Sequence, residues 1–261
     1  MVRFMSLSSG SAGNCYYLGT DSRGLLIDAG VSLRMMKKIF QNSALDLDSF
    51  SSILVTHDHM DHIRSLGSYC KRLKRPVYTT SELSQARFIG VSPVRECTRV
   101  LEEGCWNDVN GFEVRYFVVP HDATQTVGYA IRVEGHKFVI MTDIGHMTEE
   151  ALAFASQADT VVIESNYDMD MLISGPYPHE LKMRICQGHG HLSNEECAAA
   201  IMKFWHPGLR NLFLCHMSEN NNTPDLAYDS ARKALESLGV ESGSVNLRAL
   251  PRRLPSPLMI L

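Results

Sequence analysis

The stretch "VTHDHMDH", residues 55–62, follows the apolar run "SSIL" and places three histidines and two aspartates in eight residues. Burying such side chains unpartnered inside a strand carries a large desolvation cost. A loop leaving the strand's end avoids that cost and sets them in the crevice above a sheet, where ligand sites form. His57 and His59, two apart, can converge on one metal from an extended loop. Asp61 and His62, adjacent where the chain tightens into a helix, can face a second metal beside it. Imidazole and carboxylate are ligands suited to zinc, manganese or iron. The alternative is a surface loop that merely happens to be rich in histidine.

The chain around this stretch has 261 residues, 44% hydrophobic and 21% charged, the balance of an ordinary folded protein. That length holds one large core or two modest ones. The formal net charge of −4 gives no overall attraction for nucleic acid, so any such contact needs a local basic surface. Seven cysteines (Cys15, Cys70, Cys97, Cys105, Cys186, Cys197 and Cys215) include no CxxC pair. They argue against a zinc ribbon or a full disulfide framework, and for free thiols in a reducing compartment. The opening "MVRFMSLSSGSAGN" lacks the apolar core of a secretory signal, and no apolar run is long enough for a membrane span. A cytoplasmic protein with no membrane association is expected.

Strands are expected near 2–7, 15–20 and 24–28, with "DSRG" turning between the last two. A helix follows at about 32–41, capped by Ser32, with Leu33, Met36, Ile39 and Phe40 on one face. Strand 52–56 delivers the histidine-rich loop, and 62–74 reads as a helix. Three strands are expected at 112–119, 127–134 and 137–142, the last two joined by a turn at Gly135-His136. Beyond them come helix 148–156, strand 160–164, a helix from Ser193 with Glu196 three residues on, strand 211–215 and a helix at about 224–238. No repeat or long linker marks a boundary, which predicts a single domain over 1–261. Two stretches of strands, each followed by helices, fit a helix–sheet–sheet–helix sandwich, although periodicity alone supports only mixed α and β.

The H-x-H-x-D-H arrangement after an apolar strand resembles the signature of the metallo-β-lactamase superfamily. That family's other motifs are matched in order by "LLIDAG" with Asp28, "FVVPHDA" with His121, "VIMTDIG" with Asp143 and "NLFLCHMSENN" with His216. The resemblance spans almost the whole chain. It implies an α/β (α+β) fold, the αββα sandwich of two mixed sheets packed face to face with helices outside. It implies two divalent ions, zinc or manganese with iron also admissible, and no organic cofactor. One ion would take His57, His59 and His121, the other Asp61, His62 and His216, with Asp143 between them. Asp28 would accept hydrogen bonds that hold the His-rich loop, unless it is a solvated turn aspartate. His136, His146 and His206 fall outside the pattern and read as surface histidines.

A pair of metals serves lactams, thioesters, lactones and phosphodiesters alike, so the site does not name the substrate. Family lactamases with two zincs commonly carry cysteine where this chain has Asp143, which points instead to the thioesterase and nuclease branches. The separation of 73 positions from Asp143 to His216 leaves no room for the inserted domain of some family nucleases. "SLSSGSAGN" at 6–14, "ESNYD" at 164–168, "GHGHLSNEE" at 188–196 and "CHMSENNNTP" at 215–224 are similar to the bacterial YycJ (WalJ) group. That resemblance implies a 5′-to-3′ exonuclease acting on double-stranded DNA.

Gly10 and Gly13 allow amides near Ser11 to turn towards a phosphate, with Asn14 as a further donor, or else make a tight strand connection. His191, just before the Ser193-capped helix, can protonate a leaving 3′ oxygen or make a local hydrogen bond, while Ser193 and the helix amides favour an anion. Asp61 can serve catalysis as well as metal binding, by orienting the attacking water. "KRLKR" at 71–75, with Arg64, and with Lys182, Arg184, Arg248, Arg252 and Arg253, is either a DNA track or a solvated face. The expected function is a binuclear metal-dependent phosphodiester hydrolase with DNA as partner. The alternatives are a thioesterase or lactonase on the same site, and a metal-binding regulatory or scaffold protein with little turnover.

Overall fold

Short apolar runs in the first third of the chain build one mixed sheet. Its strands are β1 (Arg3–Ser8), β2 (Cys15–Gly19), β3 (Gly24–Ile27), β4 (Ser52–Leu54), β5 (Val77–Thr79) and β6 (Thr98–Val100). The second sheet takes β7 (Asn107–Val109), β8 (Phe112–Val119), β9 (Thr126–Val133), β10 (His136–Met141), β11 (Thr160–Glu164), β12 (Asn211–Cys215) and β13 (Asn246–Ala249). The last strand, β14 (Met259–Ile260), returns to pair with β1. The computed structural model describes residues 1–261. Each sheet is antiparallel on one side and parallel on the other: β14-β1-β2-β3 then β4-β5-β6, and β7-β8-β9-β10 then β11-β12-β13.

The helices are α1 (Leu33–Asn42), α2 (Met60–Ile63), α3 (Leu66–Leu73), α4 (Val94–Cys97), α5 (Glu149–Ala155), α6 (Met169–Ser174), α7 (His179–Cys186), α8 (Asn194–Phe204) and α9 (Pro224–Ser237). The layers follow from how each strand divides its side chains. On β3, Leu25 and Ile27 enter the core between the sheets, and Leu26 faces α1 and α3. On β12, Phe213 and Cys215 take the central core, while Leu212 and Leu214 face α5, α8 and α9. Strands covered on both faces are apolar throughout, which is why they read as continuous runs. The result is the αββα sandwich that the sequence predicts.

Several local expectations differ. The helix expected at 62–74 is broken into α2 and α3, because the Ser65 amide leaves the helix to bond the Ala29 carbonyl at 3.1 Å. The hairpin after β9 turns at Glu134 and Gly135, both with positive φ, so His136 belongs to β10. His136 is buried against Thr160 Oγ1 at 2.9 Å and is not a surface histidine. His206 is half-buried against the Ala158 carbonyl, and His146 is exposed. Strands of two to four residues at β5, β6, β7, β13 and β14 were too short to show a period. No helix is long and apolar enough to cross a membrane. All seven cysteines are free, and four of them are buried.

Candidate metal centre

Ligand-type side chains leave the C-terminal ends of strands from both sheets. Asp28 follows β3, His57 follows β4 by three residues, and His121 follows β8. Asp143 follows β10, Glu164 ends β11 and His216 follows β12. In open α/β sheets the crevice at strand C-termini is where ligands sit, since backbone pairing ends there and side chains can converge. Both Asp28 and His216 have φ near the left-handed region's centre, 64° and 50°, so the chain turns sharply as it delivers them.

Four overlapping groups of candidate ligand atoms result, each group within 4.8 Å of one another. They are His57–His59–His121, Asp61–His62–His216, His57–His62–Asp143 and Asp143–Glu164–His191–His216. The structure therefore gathers all seven side chains named from the motifs, with Asp143 common to two groups. It also brings in Glu164, the acid that opens "ESNYD", for which the motifs imply no role. An acid closing the apolar strand "TVVIE" is the same signal that marked Asp28 and Asp143.

Whether these residues fit metal ions is answered by their hydrogen bonds. His121 Nδ1 donates to the Gly190 carbonyl at 2.6 Å, His62 Nδ1 to Asp28 Oδ2 at 2.7 Å and His57 Nδ1 to Thr56 Oγ1 at 3.1 Å. His216 Nδ1 lies 2.9 Å from Glu164 Oε1, and His59 Nε2 donates to the Asp122 carbonyl at 3.1 Å. In the rings of His57, His59, His121 and His216 one nitrogen is held by a protein acceptor and the other is left for a ligand bond, whereas His62 Nε2 lies 2.8 Å from Asn14 Nδ2. Nε2 of His57, His121 and His216 and Oδ2 of Asp143 are buried without any hydrogen-bond partner. Orphaned buried acceptors of this kind are costly, and a coordinated cation removes the cost. The donor set fits divalent metal ions.

The charges agree. Burial opposes a proton on His62, yet Asp143 and Asp28 outweigh it and lift the ring's pKa to about 10. His216 is likewise raised against burial by Asp143, Asp61 and Glu164. Buried carboxylates thus demand positive charge here, supplied by protons or by metal cations alike. His57, by contrast, is held well below its usual value by burial and by the charge of His62. It stays neutral, the form a metal needs.

Asp28, fully buried, accepts from the Thr56 amide and hydroxyl, both at 2.8 Å, and from His62. It ties the loop after β4 to the turn after β3 and is no solvated turn residue. Gly30 packs so closely beneath the metal loop that a Cβ there would lie 1.7 Å from the Asp61 carbonyl.

Other predicted residues sit differently. Ser11 is exposed at the rim of the cleft over the cluster. Asn14 is buried, and its Nδ2 reaches Asp61 Oδ2 at 3.1 Å and His62 Nε2 at 2.8 Å, so it faces the ligands and not a substrate. The amides of Gly10, Gly13 and Asn14 are taken by Asn14 Oδ1, the Gly10 carbonyl and the Asp61 carbonyl, which leaves none of the three for an anion. Ser193 accepts the Glu196 amide with its hydroxyl oxygen and donates its own amide to the Glu196 carboxylate; it is buried and is not among the residues lining the cleft. His191 lines the cleft, with Nδ1 held 2.7 Å from Glu164 Oε1. Burial opposes its protonation, but Glu164 prevails and raises its pKa.

The cleft has a volume of about 290 Å³ and is mostly polar, with Arg184, Tyr177 and Leu181 from the α7 side facing His59, Asp61 and Asp143. Arg184 is paired with Asp122. An open cleft floored by side chains that could hold metal ions fits a metal-dependent hydrolase.

Residues 23–217 match the β-lactamase superfamily domain, and the chain belongs to that family, in its metallo-β-lactamase fold. It is 34% identical to the exodeoxyribonuclease YycJ of Bacillus anthracis, over 93% of this chain and 92% of that protein. It is 30% identical to the exodeoxyribonuclease WalJ of Streptococcus pneumoniae, over 87% of this chain and 85% of that protein. The metallo-β-lactamase fold protein YhfI of Bacillus subtilis shares the fold at a TM-score of 0.72. The identity there is 15%, over 98% of this chain and 99% of that one.

Proposed function

We propose that this hydrolase is a binuclear metal-dependent exodeoxyribonuclease that removes nucleotides from the 5′ ends of double-stranded DNA. The observation that carries the reading is the similarity to two exodeoxyribonucleases at 30–34% identity along most of the chain. Polarity and duplex preference follow the YycJ-group motifs at 6–14, 164–168, 188–196 and 215–224.

His57, His59 and His121 would hold one ion, and Asp61, His62 and His216 the other, with Asp143 shared between them. When bound, such a pair activates a water and takes up charge on the phosphate oxygens. The chain's own residues do the rest. Glu164 favours the protonated form of His191 and orients the ring through Nδ1, so that Nε2 would give its proton to the departing 3′ oxygen. Asp61, part exposed at the cleft floor, is the carboxylate placed to orient the attacking water.

The test is a time course with linear duplex DNA labelled at the 5′ end, in manganese or zinc, beside a thioester and a lactone. Release of nucleotides from the labelled end is expected. His59→Ala and Asp143→Asn should each lower the rate by about a hundredfold or more while leaving the far-UV circular dichroism unchanged. Turnover of the thioester or lactone alone would reject the nuclease reading. Metal binding without turnover of any substrate would favour a scaffold.

A further inference from the structure

The basic run at 71–75 does not form one cluster. Arg75 is paired with Asp48 at 2.8 Å and lies 5.8 Å from the centre of the Phe50 ring. Lys71 and Lys74 line a groove beside α4, with Glu96 in it. Arg72 turns the other way, into an open groove between α1 and α3 that Arg34, Lys37 and Lys38 also line. On α1 these three form one exposed stripe, opposite the buried Leu33, Met36, Ile39 and Phe40.

The groove carries four cations and no carboxylate. None of the four is among the arginines and lysines that form ion pairs. Like charges a helical turn apart repel, so an isolated fold gains nothing from this arrangement. In a chain whose net charge is −4 it is a local exception that suits a polyanion.

The groove also adjoins the metal centre. Its Ser65 amide bonds the Ala29 carbonyl at 3.1 Å, and the Ala29 amide bonds the His62 carbonyl at 2.7 Å. The neighbouring Arg64 reaches the carbonyl of Ala12, next to Ser11 at the cleft rim.

We infer that the α1–α3 groove carries the phosphate backbone of the DNA substrate away from the metal cleft, on Arg34, Lys37, Lys38 and Arg72. The inference rests on the nuclease reading above. Arg34, Lys37 and Lys38 lie within about one turn of α1, roughly 6 Å along its axis, and Arg72 joins them from α3, so the four form one compact cationic patch.

The experiment is equilibrium binding of a short fluorescent DNA duplex with phosphorothioate termini, followed by anisotropy across a salt series. Three full-length proteins are compared: wild type, Arg34→Gln/Lys37→Gln/Lys38→Gln, and the control Lys71→Gln/Lys74→Gln, all checked by melting temperature. Each duplex phosphate contact contributes about 0.9 to the log–log salt slope, so the triple variant should lose about 2–3 units of slope and at least tenfold in affinity at low salt. The control should keep the wild-type slope. Wild-type binding with an unchanged triple variant overturns the groove and leaves the nuclease reading standing. Equal losses in both variants mean diffuse attraction and also overturn it. A wild-type protein that binds no DNA overturns both. Loss of polyglutamate binding with DNA binding intact would reassign the groove to an acidic protein.

Discussion

Oε1 of Glu164 lies 2.7 Å from Nδ1 of His191, and the same oxygen lies 2.9 Å from Nδ1 of His216. One fully buried carboxylate therefore serves both a cleft-lining ring and a ring of the metal cluster. Its own proton affinity is lowered against burial by the charge of His191 and by hydrogen bonds from both histidines. Glu164→Gln keeps the shape and removes the charge. Metal affinity and kcat should each fall by about 10–100-fold. The readout specific to His191 is the pH profile. Without the Glu164 charge its pKa drops, so the alkaline limb of kcat should move to lower pH. A limb that stays in place would show that Glu164 only packs.

Chelation should destabilise the folded protein, because ions held by the His–Asp cluster bind the native state and not the unfolded chain. At a thousandfold excess over Kd, binding contributes about 4 kcal/mol, equivalent to a melting shift on the order of 10 °C for a chain of this size. Differential scanning fluorimetry with and without a chelator measures it, and readdition of zinc or manganese should restore the transition. An identical melting curve in both conditions rejects the metal centre.

Asp28 collects three donors, the Thr56 amide, the Thr56 hydroxyl and His62 Nδ1, while its φ is 64°. Asp28→Ala leaves those donors unpaired and puts a less suitable residue in the left-handed region. A loss of about 2–4 kcal/mol in urea denaturation is expected. Asp28→Asn should cost less, since asparagine tolerates that backbone and keeps one acceptor oxygen. Both variants should bind zinc more weakly in a competition titration, by about 10–100-fold. Equal stability of the alanine variant and wild type would contradict the role given to Asp28.

His136 gives a pH dependence away from the metal centre. Burial lowers its pKa, Asp159 opposes that and Arg210 adds to it. In the unfolded chain the ring titrates near about 6.5. Below that pH the unfolded state takes up a proton that the native state refuses, so stability falls as pH drops from about 6.5 towards the native pKa. Above about 6.5 the contribution is fully present. His136→Gln, which can still meet Thr160, should therefore lose less melting temperature than wild type between about pH 7 and about pH 5. Parallel pH curves for the two proteins would rule this out.

Much of this protein is written locally. The apolar face of α1, the strand runs and the capping box at Ser193 each depend on residues within one or two turns, so periodicity exposes them. The aspartates and histidines that close strands are legible for the same reason: a polar side chain after an apolar run must leave the sheet. Other features depend on residues far apart in the chain. Asn14 meets Asp61 across 47 positions, and Glu164 meets His191 across 27. Nothing near Asn14 in sequence shows that its side-chain amide is already committed to Asp61 and His62.

The order of residues dictates which side chains must leave the strands, because burying them unpartnered costs too much. Which of them meet depends on how the two sheets pair and pack. Parallel pairing of β10, β11 and β12 sets Asp143, Glu164 and His216 side by side, and the facing sheet brings Asp28 and the loop after β4 to the same edge. The fold also separates Arg72 from Lys71, since adjacent residues on a helix point about 100° apart and enter different grooves.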